Sequence, residues 1–133
     1  MSIKIELSVG EVLDKITILQ IKAERISDSA KLENINKEIQ VLTSLWQAST
    51  YSNTDLDVDI SALKKVNEEL WDIEDKIRNK ESEKAFDNVF IELARAVYVT
   101  NDKRAKIKQA INTKTGSELT EEKSYSDYLS NNK

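Results

Sequence analysis

From Val9 to Ile111 the apolar residues recur three and four positions apart, the spacing of one buried face on a 3.6-residue helix. The pattern predicts an all-α chain: an elongated bundle of four main helices over residues 8–113, preceded by an extended arm (1–7) and followed by a tail (114–133), all in one domain. In the arm, Ile3, Ile5 and Leu7 alternate with Lys4 and Glu6. That is a strand's period, and a strand this short has no sheet partner elsewhere in the sequence, so the arm either docks on the bundle or pairs between molecules.

Ser8 followed by Glu11 fits a capping box, so the first helix begins there and runs to about Ser27. The second starts after Asp28 or Ser29 and carries Leu32, Ile35, Ile39, Leu42 and Trp46 as its stripe. Ser, Thr, Asn and Asp crowd the segment 48–59, which predicts a loop, with Asp57 or Asp59 capping the third helix. That helix shows Leu63, Val66, Leu70, Ile73 and Ile77, and the polar run Asn79 to Glu83 breaks it near Ser82. The fourth carries Phe86, Val89, Phe90, Leu93, Val97, Ile107 and Ile111. Its Val97–Thr100 stretch of poor helix formers, followed by the good caps Asn101 and Asp102, signals a kink or restart. Gly116 offers a left-handed stop, and Thr120 to Leu129 reads as a short helix in the tail.

Composition narrows the chemistry. The 133 residues include no histidine, cysteine or proline and only Gly10 and Gly116. Ser-His-Asp triads, thiol nucleophiles, nitrogen–sulfur zinc sites and glycine-rich phosphate loops are thereby excluded. Net charge is −4, which disfavours general nucleic-acid binding. The basic strip from Lys103 to Lys114, with Arg104, Lys106 and Lys108, is read instead as neutralising the acidic third helix. No apolar stretch has the length of a membrane span and no leader pattern opens the chain, so the expectation is a cytoplasmic protein, without nucleic acid, membrane or cofactor.

Four constellations stand out. The first helix has a main stripe of Val12, Ile16, Leu19, Ala23 and Ile26, and a second line Asp14, Ile18, Ile21 and Arg25; such a helix is buried on two sides. Sixteen lysines stand against four arginines, Arg25, Arg78, Arg95 and Arg104, and arginine in a lysine-rich chain points to planar pairing with a carboxylate or phosphate. Asp14, Glu74, Asp75 and Asp102 are candidate protein partners, and an arginine-lined cleft for an anionic metabolite is the alternative. On the third helix Asn67, Trp71, Glu74 and Arg78 share a face, and on the fourth Arg95, Tyr98 and Asp102 share a line. Glu11 and Asp14 with Glu68, Asp72 and Asp75 form an oxygen-ligand set for magnesium; lacking a Glu-x-x-Glu signature, it ranks last.

Four stretches carry a resemblance: Ser8–Ile18 (Ser-Val-Gly-Glu-Val-Leu-Asp-Lys-Ile-Thr-Ile), Glu69–Asp75 (Glu-Leu-Trp-Asp-Ile-Glu-Asp), Leu93–Arg104 and Glu121–Tyr125. Together they resemble an uncharacterised bacterial all-helical family, a domain of unknown function, over Lys4 to Tyr128. The resemblance implies a real domain linked to cell-surface polysaccharide synthesis; it implies no catalytic residue. Its segments contain Asp14, Trp71, Glu74, Asp75, Arg95, Tyr98, Asn101, Asp102, Arg104, Lys123 and Tyr125, which with Arg25 and Arg78 make the candidate polar cleft, closed by Lys123 and Tyr125 if the tail folds back. The reading that follows is a helical interaction or accessory protein, a homodimer that also meets another protein. The alternative is a small enzyme or sensor holding an anionic small molecule between helices.

Overall fold

The computed structural model describes residues 2–120 and residue 122. Four helices follow the arm: α1 (Val9–Arg25), α2 (Ser29–Ala48), α3 (Asp57–Ser82) and α4 (Asn88–Thr115), with a 3-10 turn at Thr50–Asn53 between α2 and α3. There is no strand among the described residues. The expected short helix over Thr120–Leu129 falls, except for Thr120 and Glu122, outside them.

Side-chain caps set most of the helix starts. Ser8, Asp28 and Asp87 accept from the backbone N–H groups of Glu11, Lys31 and Phe90, satisfying donors with no partner inside the helix. The third start differs from the expectation of an Asp57 or Asp59 cap. Leu56 occupies the cap position without a side-chain bond, because its side chain, 2% exposed, is drawn into the core beside Leu63 and Ile111. Asp57 and Asp59 therefore lie in the first turn of α3, where the helix dipole favours them.

α4 is one unbroken helix of 28 residues, about 42 Å long. The restart signalled at Asn101 and Asp102 does not occur, because packing overrides local propensity there: Thr100 is buried, and Val97, Val99, Asn101 and Asp102 are half-buried. The helix stops where Gly116 takes a left-handed conformation with φ 67°. The Gly116 and Ser117 amides bond back to the carbonyls of Thr113 and Asn112, the pattern of a Schellman end. α3 ends the same way, with Lys84 and Ala85 amides on the Glu81 and Lys80 carbonyls, but here Lys84 holds the left-handed position at φ 55°.

α1 is the central element and packs on α2, α3 and α4. Its buried set is wider than one stripe: Val9, Leu13, Ile16, Leu19 and Ile21, together with the polar Asp14 and Thr17. With Leu56, Leu63 and Ile111 these make the apolar core, where each fully buried Leu or Ile contributes about 1.5–3 kcal/mol. α2 covers one side of α1 through Ile35, its only fully buried residue. Leu42 and Trp46 pack against the core, whereas Val41 and Leu45 face outward.

α3 and α4 are longer than α1. The Arg25 end of α1 meets Asp72 on α3, and past that level α3 and α4 continue as a two-helix hairpin. No side chain from Trp71 to Val99 is buried. Phe86 and Val89, expected in the core stripe of α4, are 55% and 53% exposed, because neither α1 nor α2 reaches their height. Phe86 and Phe90 instead stack edge to face, with ring centroids 5.1 Å apart.

Candidate functional site

Where α1, α3 and α4 meet, the core turns polar. Asp14 and Thr17 on α1, Asn67 on α3, and Lys108 and Asn112 on α4 are all buried. A buried polar group costs stability unless it is hydrogen-bonded, and these partner one another. One amide nitrogen of Asn67 donates to Asp14 Oδ1 at 2.9 Å and to Thr17 Oγ1 at 3.0 Å. The Thr17 hydroxyl donates in turn to the Asp14 carbonyl at 2.8 Å. Arg104 reaches the Asn67 side-chain oxygen at 3.5 Å.

On the other side of Asp14, the Lys108 ammonium lies 2.7 Å from Glu11 Oε2 and 3.8 Å from Asp14 Oδ2. Two carboxylates of α1 thus face two cations of α4, with Asn67 of α3 bridging Asp14 and Arg104. Burial pushes the Glu11 carboxyl up, but the hydrogen bond and charge of Lys108, helped by Lys15 and Arg104, outweigh it and hold Glu11 below its usual value. The Glu11 side chain is 25% exposed, against 5% for Asp14 and 11% for Lys108.

The junction closes at Gly10. Its N–H donates to Asn112 Oδ1 at 2.7 Å, and the neighbouring Val9 N–H donates to Ser117 Oγ at 3.1 Å. A Cβ at position 10 would stand 2.7 Å from the Lys108 carbonyl oxygen and 3.1 Å from its Cα. Glycine is required because α4 backbone occupies that space. Glu11, expected to reach back to the Ser8 amide, turns to Lys108 instead, so the capping box keeps only its Ser8 half.

The four arginines do not converge. Arg25 pairs with Asp72 at 2.6 Å and lies 5.7 Å from the centre of the Trp71 ring, a cation–π contact at the end of α1. Arg78 pairs with Glu74 one turn back on α3. Arg95 pairs with Glu92 on α4, and hydrogen bonding to Tyr98, with the charge of Glu92, raises its pKa further. Arg104 alone enters the junction. Of the candidate cleft, then, only Asp14 and Arg104 share a site; Trp71 sits with Arg25; Glu74 with Arg78; Tyr98 with Arg95. Asp75 is exposed and Asn101 and Asp102 are half-buried, while Lys123 and Tyr125 lie outside the described residues. The separation follows from height along the long helices, since Arg78 and Arg95 stand on the hairpin beyond the end of α1.

The magnesium set is dispersed for the same reason. Asp72 is engaged by Arg25, the Lys108 ammonium sits between Glu11 and Asp14, and no three carboxylates cluster closely enough to hold a cation among the described residues. Neutralisation of α3 by α4 occurs at Lys114, 2.8 Å from Asp59; Lys108 turns to α1 instead, and Lys103 and Lys106 remain exposed.

The candidate cleft omitted Gly10, Thr17, Asn67, Lys108 and Asn112. Gly10 and Thr17 lie inside the Ser8–Ile18 motif, and a glycine in the first turn of a proline-free helix is itself a signal of close backbone approach. Asn67 stood on the recognised polar face of α3. Lys108 and Asn112 carry no such local signal.

No helix of the described residues is long and apolar enough to cross a membrane. No curated protein and no solved structure matches the chain. Residues 3–133 match the model of a family of unknown function, DUF6165, and the chain belongs to that family.

Proposed function

We propose that this protein is a helical interaction or accessory protein, a homodimer that presents the hairpin end of α3 and α4 to another protein. One observation carries the reading: 29 consecutive residues, Trp71 to Val99, contain no buried side chain although they include Ile73, Ile77, Phe86, Val89, Phe90, Ile91, Leu93 and Val97. An apolar hairpin of this kind gains stability by receiving a helix of a partner along its groove. The polar junction supports the same reading from the other direction. Its carboxylates, cations and amide are already paired within the chain, an arrangement that holds three helices in register.

Photo-cross-linking from Val89 and Ile91 in the source cells tests this. The same discrete adduct is expected from both positions, lost in Phe90→Asp and absent from a probe at the exposed Lys103. No adduct from either hairpin position, with the folded protein at its normal level, would remove the reading.

A further inference from the structure

The N-terminal arm leaves a second apolar surface at the opposite end of the molecule. Residues 2–7 belong to no helix or strand, and none of their backbone groups takes part in a backbone hydrogen bond among the described residues. Ile3 and Ile5 are 92% and 73% exposed. Between this arm and the outer face of α2 lies a groove of about 1,100 Å³, lined by Ile3, Ile5, Leu7, Val41, Leu45 and Trp46 among others. The free backbone edge and the open groove belong to the same few residues.

The sequence of the arm names what covers it. In antiparallel pairing, facing residues carry numbers with a constant sum and point to the same side of the ribbon. If Ile5 faces Ile5 of a second copy across a two-fold axis, Ile3 faces Leu7 and Lys4 faces Glu6, twice over. Every apolar side chain then meets an apolar one and every charge meets its opposite. Shifting the sum by two places Lys4 opposite Lys4 or Glu6 opposite Glu6; shifting it by one puts charged side chains opposite apolar ones; parallel in-register pairing sets like charges together. We infer that a second copy of this chain covers the groove, its Ile3–Leu7 arm pairing antiparallel with this one about Ile5.

The contact is isologous. A five-residue ribbon is marginal alone, and here its apolar side, three aliphatic residues from each copy, is seated over Val41, Leu45 and Trp46. This inference rests on the self-association in the proposed function and gives it a location.

Charge reversal tests it on the full chain by light scattering and sedimentation. Lys4 and Glu6 are exposed, so Lys4→Glu and Glu6→Lys are expected to leave the helical circular dichroism spectrum of the folded chain unchanged. Each variant alone puts like charges opposite each other twice and is expected to raise the dimer Kd roughly tenfold or more. Mixing the two variants restores opposite charges at every facing pair and is expected to restore the dimer, as is the double variant. In a chain with no cysteine of its own, Ile5→Cys is expected to give a disulfide-linked dimer under mild oxidation. A wild-type dimer indifferent to both reversals and to their mixture would overturn arm pairing while leaving self-association standing. A wild-type monomer at tens of micromolar would overturn both.

Discussion

The side-chain amide of Asn67 donates from a single nitrogen to Asp14 at 2.9 Å and to Thr17 at 3.0 Å, tying α3 to the middle of α1. Its oxygen faces Arg104 of α4. One neutral side chain therefore joins three helices and keeps a buried carboxylate and a guanidinium apart while bonding to both. Glutamine would be one methylene too long for these distances, and a carboxylate would repel Asp14.

Asn67→Leu keeps the branching at Cγ but removes both bonds to α1, and is expected to destabilise the fold by about 2–3 kcal/mol. Asp14→Leu removes a buried charge from facing Lys108 and Asn67, with an expected cost of about 3–5 kcal/mol. The double variant is expected to lose less than the sum, with a coupling of about 1–2 kcal/mol. Urea unfolding of the four proteins checks this, and strict additivity would show that the two residues act separately.

Stability should fall in acid in a way that depends on Glu11. Its carboxyl is held below its usual value in the folded protein, so the unfolded chain binds the proton more readily. The stabilising contribution is complete above the unfolded carboxylate pKa and is lost as pH falls through the folded value. Glu11→Gln is therefore expected to lower stability at pH 7 and to converge on the wild type toward pH 3. A constant difference across a thermal-melt series from pH 7 to pH 3 would exclude the linkage.

Gly10→Ala is expected to cost about 2–4 kcal/mol despite alanine's better helix propensity, since the new methyl group meets α4 backbone at 2.7 Å. α1 would have to move away, lengthening the bond from its own N–H to Asn112. Amide exchange read by NMR should show loss of protection at Gly10 and the first turn of α1 before the rest of the helix.

Lys84→Gly should work in the opposite direction. Lys84 holds a left-handed backbone at φ 55° in the α3–α4 turn, where a side chain costs roughly 1 kcal/mol relative to glycine. The substitution is expected to raise the thermal midpoint by a few degrees without changing oligomeric state. Lys84→Ala, which keeps the strain, is expected to leave the midpoint close to that of the wild type.

The hairpin shows why the candidate cleft was only partly legible. Glu74, Arg78, Arg95 and Tyr98 sit at helical spacings that correctly place them on polar faces, and Glu74 and Arg78 do pair. Spacing along one helix carries no information about where a neighbouring helix ends, however, and Arg25 meeting Asp72 marks the level at which α1 stops. Above it the same periodic pattern that buries Leu63 and Ile111 leaves Phe86 and Val89 in the open.

Local signals determined most of the helix limits by themselves: the three-and-four spacing, the caps at Ser8 and Asp28, and the stop at Gly116 all act within a few residues, through short-range hydrogen bonds and side-chain entropy. They also showed that α1 has two apolar faces, which already makes it central. Only the tertiary structure decided that Gly10 touches Lys108, that Asn67 bridges α1 and α4, and that α4 continues as one helix through Val97–Thr100. Those outcomes depend on the heights at which helices of unequal length are set against each other. That offset is chosen by the packing of all four helices at once and is not written in any one stretch of chain.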